Sequence, residues 1–385
     1  MHIAWLGKKS PFCGNVTYSR EITNSLLDRG YRVSFFHFDP PEKSGDRPHS
    51  QPDIQEVPIP FLYKSQIYTI PSLRSSKVLV ESLQKLKPDL VHASLTLSPL
   101  DFKLPEICEE LGLPLVATFH PPFDNKRLSL TSGTQHLMYQ VYAPCLSHYD
   151  RVIVFSFLQR DLLLRLGIPD KKIAVIPNGV DTEKYFPSSS NLKAQLRANR
   201  LFVYQGRIAP EKNVEALLRA WRNCNMGNDC KLLIVGNGLL AASLKHAYST
   251  ESNIIWMGFV ADEHQRINIL QGADVFVLPS LVEGLSISLL EAMACGMTCI
   301  ATNAGADGEV LENGSGITLS THRVTSQLRT LLPLCRDQPE LTALLGQKAR
   351  QRVLDRYTLS QNVTQLEHLY QQLLNRRNIR VGNFA

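Results

Sequence analysis

No stretch of this 385-residue sequence approaches the ~20 consecutive apolar residues a helix needs to cross a bilayer, so no membrane-spanning helix is expected. The opening, MHIAWLGKKS, carries its charges after its short apolar run. It does not read as a secretory signal, and a cytoplasmic protein is the expectation. Low-complexity and disordered blocks are missing too. The formal net charge of +6 is too small to argue for a nucleic-acid partner, and no basic block interleaved with aromatics appears. Such a mild excess suits an anionic small molecule or an anionic membrane surface. The eight cysteines (13, 108, 145, 224, 230, 295, 299 and 335) form no C-x-x-C pair, and no histidine near Cys295 and Cys299 would complete a zinc site. Neither a metal nor a cofactor is expected. The thiols read as reduced and mostly buried.

What is present is regular. Short apolar runs alternate with amphipathic helical stretches: HIAWL, RVSFFHF, DLVHA, PLVATF, RVIVF and KIAVI, then LFVYQ, KLLIVG, NIIWMG, DVFVLP, TCIAT and GITLS. Runs of this kind, separated by helices, indicate parallel sheets covered on both faces. The pattern occurs twice, which predicts an α/β protein of two Rossmann-like domains facing a cleft, residues 1–185 and 186–356. PNGVDTEKYFPSSSN, rich in turn formers, reads as a linker over about 180–198. From about 357 onward a helix carries Leu366, Leu369, Tyr370 and Leu373 on one stripe.

The residues that break the apolar pattern fall just past strand ends: the loop from Gly7 to Gly14, His120, Asn178-Gly179, Gly206-Arg207, Gly236-Asn237-Gly238 and Glu283-Gly284. Open parallel sheets bind ligands there. In GRIAPEKN, Arg207 and Lys212 flank the expected start of a helix and suit a diphosphate, whose charge they would neutralise while free amides donate to its oxygens. If the diphosphate leaves, the same site stabilises charge that grows in the transition state. Two surface cations at a helix cap would be the plainer account.

In PSLVEGLSISLLEAMACG, the loop Glu283-Gly284-Leu285-Ser286-Ile287 leads into a helix expected over about Leu285 to Cys295, closed by Gly296. Glu291 is its only charge, placed about two turns in. A lone carboxylate in so apolar a helix needs a partner, and ribose hydroxyls would serve. Glu283 could hold sugar hydroxyls and oppose a developing oxocarbenium charge. His120, stopped by Pro121-Pro122, is a further candidate, and His92 a weaker one of the same kind; either could equally be a packed histidine.

PNGVDTEKYFP, GRIAPEKN, VGNG, GFV and PSLVEGLSISLLEAMACGMTCIATNAG together resemble glycosyltransferase family 4, whose members share the GT-B fold. The resemblance spans nearly the whole chain, and its most specific mark is the pair Glu283 and Glu291. It implies transfer from a nucleotide-sugar with retention of anomeric configuration and no required metal. By position, it implies Arg207 and Lys212 on the diphosphate, Glu291 on the ribose, Glu283 on the donor sugar and His120 near the anomeric centre. Gly14, Gly236 and the Gly284–Ile287 loop would line the donor. The C-terminal helix, about 357–385, would pack back on the first domain. Two departures stand out: the first loop, PFCGNVTYS, has only Gly14, and Leu285-Ser286 replace the family's frequent Phe-Gly.

Within that family, LGKKSPFCGNVTYSREI, LVHASLTLSPLDF, ATFHPPFD and NAGADGEVL are similar to digalactosyldiacylglycerol synthases of the cyanobacterial type. This implies UDP-galactose as donor, monogalactosyldiacylglycerol as acceptor and a peripheral position on a membrane. Residues 61–87 and 121–149 mix aromatic with basic residues as an interfacial surface would (Phe61, Tyr63, Lys64, Tyr68, Arg74, Lys77, Lys85, Phe123, Lys126, Arg127 and Tyr139). An ordinary mixed surface is the competing account.

Within the family, another donor sugar or a soluble glycan acceptor is the alternative. Outside it, three readings compete: an NAD-dependent dehydrogenase, a nucleotide-sugar epimerase or hydrolase, and a silent binding protein. Gly236-Asn237-Gly238-Leu239-Leu240-Ala241 matches the dinucleotide fingerprint as written, but NIIWMGFV ends without an acidic residue for the adenosine ribose. A nucleotide-sugar epimerase or hydrolase would share the donor site. A silent binding protein would have no physical need of Arg207, Lys212, Glu283 and Glu291 together.

Overall fold

The computed structural model describes residues 1–10, 13–38, 54–65, 68–122 and 130–382. It divides into two compact units. The first is built on Met1–Pro121, Gly133–Pro177 and Leu359–Ala385, the second on Asn178–Thr358.

The first unit holds β1 (His2–Leu6), β2 (Arg32–His37), β3 (Gln55–Pro58), β4 (Phe61–Lys64), β5 (Thr69–Pro71), β6 (Leu90–Ser94), β7 (Leu115–Thr118), β8 (Arg151–Val154) and β9 (Ile173–Val175). Seven of these form a parallel sheet in the order β3-β2-β1-β6-β7-β8-β9, while β4 and β5 pair as a separate antiparallel ribbon. β1, β6 and β7 are buried along their whole length, as continuous apolar runs covered on both faces should be. β3, β4 and β5 were not legible as strands. They are three or four residues long, contain or border prolines, and lie at an edge or in a ribbon where burial imposes no pattern.

The C-terminal helix, Leu359–Gly382, belongs to this unit. Leu366, Leu369, Tyr370 and Leu373 are buried. Arg29, at the end of helix Gly14–Asp28, fastens it, reaching Glu367 at 2.6 Å and the Ser360 carbonyl at 2.9 Å.

The second unit holds β10 (Arg200–Gln205), β11 (Cys230–Val235), β12 (Ile254–Gly258), β13 (Val275–Leu278), β14 (Thr298–Thr302) and β15 (Ile317–Leu319). They form one parallel sheet ordered β12-β11-β10-β13-β14-β15. The order reverses between β10 and β13, and a parallel sheet opens a crevice at such a reversal, beyond the carboxyl ends of the two strands.

The segment expected to act as a linker is folded onto this second unit. Val180 bridges to Thr358, Tyr185 is buried, and Arg350 donates to the carbonyls of Tyr185 and Ala294 at 2.8 Å each. Its turn-forming composition marks irregular backbone, which here is hydrogen-bonded rather than loose.

Candidate active site

The reversal point of the second sheet gathers most of the charged candidates. β10 ends at Gln205, and the turn after it is fixed: Gly206 N–H donates to the Val235 carbonyl at 3.0 Å, and the Tyr204 hydroxyl to the Arg207 carbonyl at 2.6 Å. Ile208 N–H donates to the Asn237 carbonyl at 2.9 Å, so the two glycine loops lie backbone to backbone. A Cβ on Gly236, at φ +138°, would stand 1.8 Å from the Gly206 carbonyl oxygen, and one on Gly238 would stand 2.4 Å from that of Ile208. Packing between loops therefore accounts for both glycines of the apparent dinucleotide fingerprint without a dinucleotide.

Lys212 closes a single 3-10 turn, Pro210–Lys212, and the helix Val214–Arg222 begins two residues later, after Asn213 in a left-handed conformation at φ 51°. The expectation that Lys212 stands at the helix start is corrected accordingly. The turn is stapled to the loop after β13, since Asn213 Nδ2 donates to the Pro279 carbonyl at 3.2 Å and Leu281 N–H to that of Glu211 at 2.8 Å. This staple brings Lys212 Nζ within 2.6 Å of Glu283 Oε1, both side chains being largely buried. Arg207 is more exposed and pairs with Glu211.

The Glu283 loop has three backbone anchors. Ala306 N–H donates to the Gly284 carbonyl at 2.7 Å, Asn178 Nδ2 to that of Leu285 at 3.1 Å, and Ser286 N–H to Asp307 Oδ1 at 2.9 Å. Gly305, at φ +58°, permits the approach, for a Cβ there would lie 2.2 Å from the Glu283 carbonyl oxygen. Ser286 then caps the helix Ile287–Ala294 by accepting from Leu289 N–H. The first-turn amides of that helix, Ile287 and Ser288 among them, have no acceptor within it and favour an anion.

That helix starts two residues later than expected, so Glu291 lies one turn in rather than two. Its carboxylate is buried and receives Gln205 Nε2 at 2.9 Å. Tyr185 also faces it; burial first and the Glu291 charge second push the tyrosine hydroxyl well above its ordinary range. The isolated charge thus has protein partners of its own.

The first unit holds a different kind of site. His120, just past β7, is partly exposed, and its Nε2 shares a hydrogen bond of 2.7 Å with Ser94 Oγ, which donates to Asn15 Oδ1 at 2.8 Å. Tyr18 packs edge-on against the ring. Burial, and after it the Lys8 ammonium, hold the His120 imidazole below its ordinary value. It is therefore neutral near pH 7.

His92 is wholly buried. It stacks on Trp5 at 4.0 Å between ring centroids and bonds Thr118 Oγ1 at 2.7 Å and the Tyr370 hydroxyl at 2.5 Å. It fastens the C-terminal helix to the sheet, which is a packing role. Gly14 is exposed, and a Cβ there would meet nothing within 4 Å; one on Gly7 would stand 2.9 Å from Trp5 Nε1. Of the two, Gly7 is the glycine that packing requires.

Among the described residues, no cluster of three or more His, Cys, Asp or Glu side chains stands ready for a metal ion. Residues 13–184 match the family described as Glycosyltransferase Family 4, and residues 190–352 match Glycosyl transferases group 1. The chain is a glycosyltransferase of the family 4 type.

This glycosyltransferase is 28% identical over 331 residues to the Escherichia coli UDP-Gal:alpha-D-GlcNAc-diphosphoundecaprenol alpha-1,3-galactosyltransferase, covering 81% of this chain and 82% of that one. It is 26% identical to the MMP alpha-(1->4)-mannosyltransferase of Mycolicibacterium hassiacum, across 98% and 99% of the two chains. Anabaena HepE, solved in complex with UDP-glucose, has the same fold, with a TM-score of 0.78 at 19% identity over 97% of this chain and 100% of that one. The sucrose-phosphate synthase of Thermosynechococcus elongatus gives 0.76 at 20%, over 97% and 99%. The fold is GT-B, with two parallel-sheet Rossmann-like domains.

Three residues around Glu283 and Glu291 escaped the sequence reading: Gln205, Tyr185 and Asp307. Gln205 had a signal, as the one polar residue closing the apolar strand LFVYQ. Tyr185 sits in the supposed linker. Asp307 lies in NAGADGEVL, where nothing local marks an acid as buried.

Proposed function

We propose that this glycosyltransferase moves galactose from UDP-galactose onto a glycolipid such as monogalactosyldiacylglycerol, with retention of anomeric configuration and without a bound metal. The observation that carries the donor half is the Lys212–Glu283 pair beside the Gln205–Glu291 pair at the strand-order reversal of the second sheet. Lys212 and Arg207 supply positive charge for the diphosphate, doing without a metal what a bound cation would otherwise do. Glu291 takes the ribose hydroxyls, and Glu283 takes those of the sugar.

In the transfer, the acceptor oxygen bonds to the anomeric carbon on the face from which the β-phosphate oxygen departs. The acceptor's proton passes to that phosphate oxygen. Glu283 opposes the positive charge that builds on the ring, and the neutral His120 is the first unit's contribution to catalysis.

Two observations support the lipid half. The Escherichia coli relative is named for a UDP-Gal donor and a diphosphoundecaprenol-linked acceptor. The β4–β5 ribbon and the turn after it expose Leu62 by 72%, Tyr63 by 51% and Leu73 by 101%, beside exposed Arg74 and Lys77. Apolar tips flanked by cations suit the interface of an anionic membrane, which supports a peripheral position there. Among the described residues, no helix is long and apolar enough to cross a membrane. The expected surface is narrower than the sequence suggested. Tyr139 is buried and bonds the Pro121 carbonyl, Lys64 is tied to Ser10 and the Phe38 carbonyl, and Phe123, Lys126 and Arg127 lie outside the described residues.

Product analysis tests the whole reading. Labelled UDP- and GDP-sugars are offered with galactolipid, polyprenyl-linked and soluble acceptors, with and without EDTA. The expected product is an α-linked galactolipid made from UDP-galactose and unaffected by EDTA. Product from a GDP-sugar alone overturns the donor, product on soluble acceptors alone overturns the lipid, and loss of product in EDTA overturns metal independence.

A further inference from the structure

Asp307 is fully buried, and only one of its two carboxyl oxygens has a hydrogen-bond partner. Oδ1 receives the Ser286 amide at 2.9 Å, while Oδ2, shielded from solvent, has none among the described residues. The charged groups that face it are Glu283 and Lys212, and these already pair with each other at 2.6 Å. Arg352 is engaged elsewhere, with the Glu309 carbonyl, Glu312 and the Tyr357 ring. Two carboxyls therefore share one ammonium in a buried place. Ionising both would leave a charge without a counter-ion, and a proton on one of them removes it.

Burial decides which acid keeps the proton. Glu283 holds the lysine and reaches the surface with part of its side chain, whereas Asp307 does neither. Burial first, and the Glu283 charge second, hold the Asp307 carboxyl well above the ordinary range, against the opposing pull of the Ser286 amide and Lys212.

We propose that Asp307 is a positioning residue of the transfer reaction: as a neutral carboxylic acid it braces the Glu283–Ser286 loop through the Ser286 amide and leaves Glu283 as the single ionised carboxylate facing Lys212. The proposal rests on the donor-site reading above and deepens it. A second negative charge at Asp307 would draw Lys212 away from the diphosphate and repel the phosphates themselves. The protonated acid gives the loop an anchor without that charge.

The test compares Asp307→Asn, which keeps an oxygen for the Ser286 amide but cannot ionise, with Asp307→Ala, which loses both. The full chain is unfolded in urea from about pH 5 to about pH 9, with no ligand present. A carboxyl whose folded value is raised stabilises fully below its unfolded value of 3.8 and loses that contribution as pH climbs through the folded value. The wild-type midpoint is therefore expected to fall relative to that of Asp307→Asn as pH rises. Turnover of the sugar nucleotide accepted in the product panel supplies the second readout. The ratio of kcat/KM for Asp307→Asn over wild type should climb about tenfold across the same range, and Asp307→Ala should be depressed at every pH.

A midpoint difference that does not move with pH, or a flat activity ratio, overturns the proposal. Lys212→Ala and Glu283→Gln in the same assay separate the two claims. If both turn over like wild type, the donor reading fails and the proposed role fails with it, whatever the unfolding data give. If both are crippled while the Asp307→Asn ratio stays flat, the role of Asp307 alone is wrong.

Discussion

The two units present functional groups of opposite character on the same kind of scaffold. Each is a parallel sheet with its candidates beyond the strand ends. In the second unit those candidates are charges held in pairs, Lys212 with Glu283 and Arg207 with Glu211, on loops pinned by backbone hydrogen bonds. In the first they are neutral: His120, Ser94 and Asn15 form a relay of hydrogen bonds with the imidazole kept uncharged. The contrast suits a division of labour in which one unit grips an anionic nucleotide and the other handles uncharged hydroxyls. Fixed charges pay off against a diphosphate, while a neutral acceptor needs donors and acceptors without a net field.

The sharpest way to break that contrast is to remove the charges. Lys212→Ala is expected to lower kcat/KM about 100- to 1000-fold, the scale of a lost transition-state donor, and to lower the melting temperature as well, because Glu283 loses its buried counter-ion. Glu291→Ala should do comparable harm through ribose binding. Steady-state kinetics beside a thermal melt check both, and near-normal turnover would remove the second unit from the chemistry.

Next come the two histidines. His120→Ala should cost about 10- to 100-fold in kcat with a small change in stability. His92→Ala should instead cost roughly 2–4 kcal/mol of folding stability, because a buried ring that ties Tyr370 to the sheet is lost. Equal effects on kcat from both would contradict their separation into a reacting and a packing residue.

A pH experiment sharpens the same point. Burial first, and His120 second, push the His92 imidazole down to about 3. A histidine depressed on folding contributes stability that is present above its unfolded value of 6.5 and drains away as pH falls toward 3. Urea midpoints should therefore decline through that window in the wild type and decline less in His92→Phe.

The smallest effect belongs to the exposed ribbon. Leu62→Ser with Leu73→Ser should weaken sedimentation with anionic phosphatidylglycerol vesicles by about tenfold, and neutral phosphatidylcholine vesicles should bind poorly in either protein.

Legibility in the sequence followed the same division. Twelve of the strands could be read because parallel strands buried on both faces are continuous apolar runs, and the loops after them stood out by contrast. Glu291 stood out for the same reason, as one charge in LSISLLEAMAC. The grouping of Glu283 with Lys212 is non-local: 71 residues separate them, and only the β10–β13 adjacency and the Asn213 staple bring them together. Asp307 was invisible for a related reason. Its role is to hold another loop's backbone, and a hydrogen bond from a distant amide leaves no mark on the residues around it. His92 and His120 looked alike from sequence because both follow short apolar runs, yet His92 lies in the middle of β6 and His120 past the end of β7. What tells them apart is the helix Leu359–Gly382, which covers one and brings Tyr370 to it.

The central claim is that Lys212 meets the diphosphate and Glu291 the ribose of one bound nucleotide. Calorimetric titration of wild type, Lys212→Ala and Glu291→Ala with UDP and with uridine tests it most directly. Lys212→Ala should weaken UDP far more than uridine, and Glu291→Ala should weaken both. Wild-type affinity for UDP in the two variants would contradict the account.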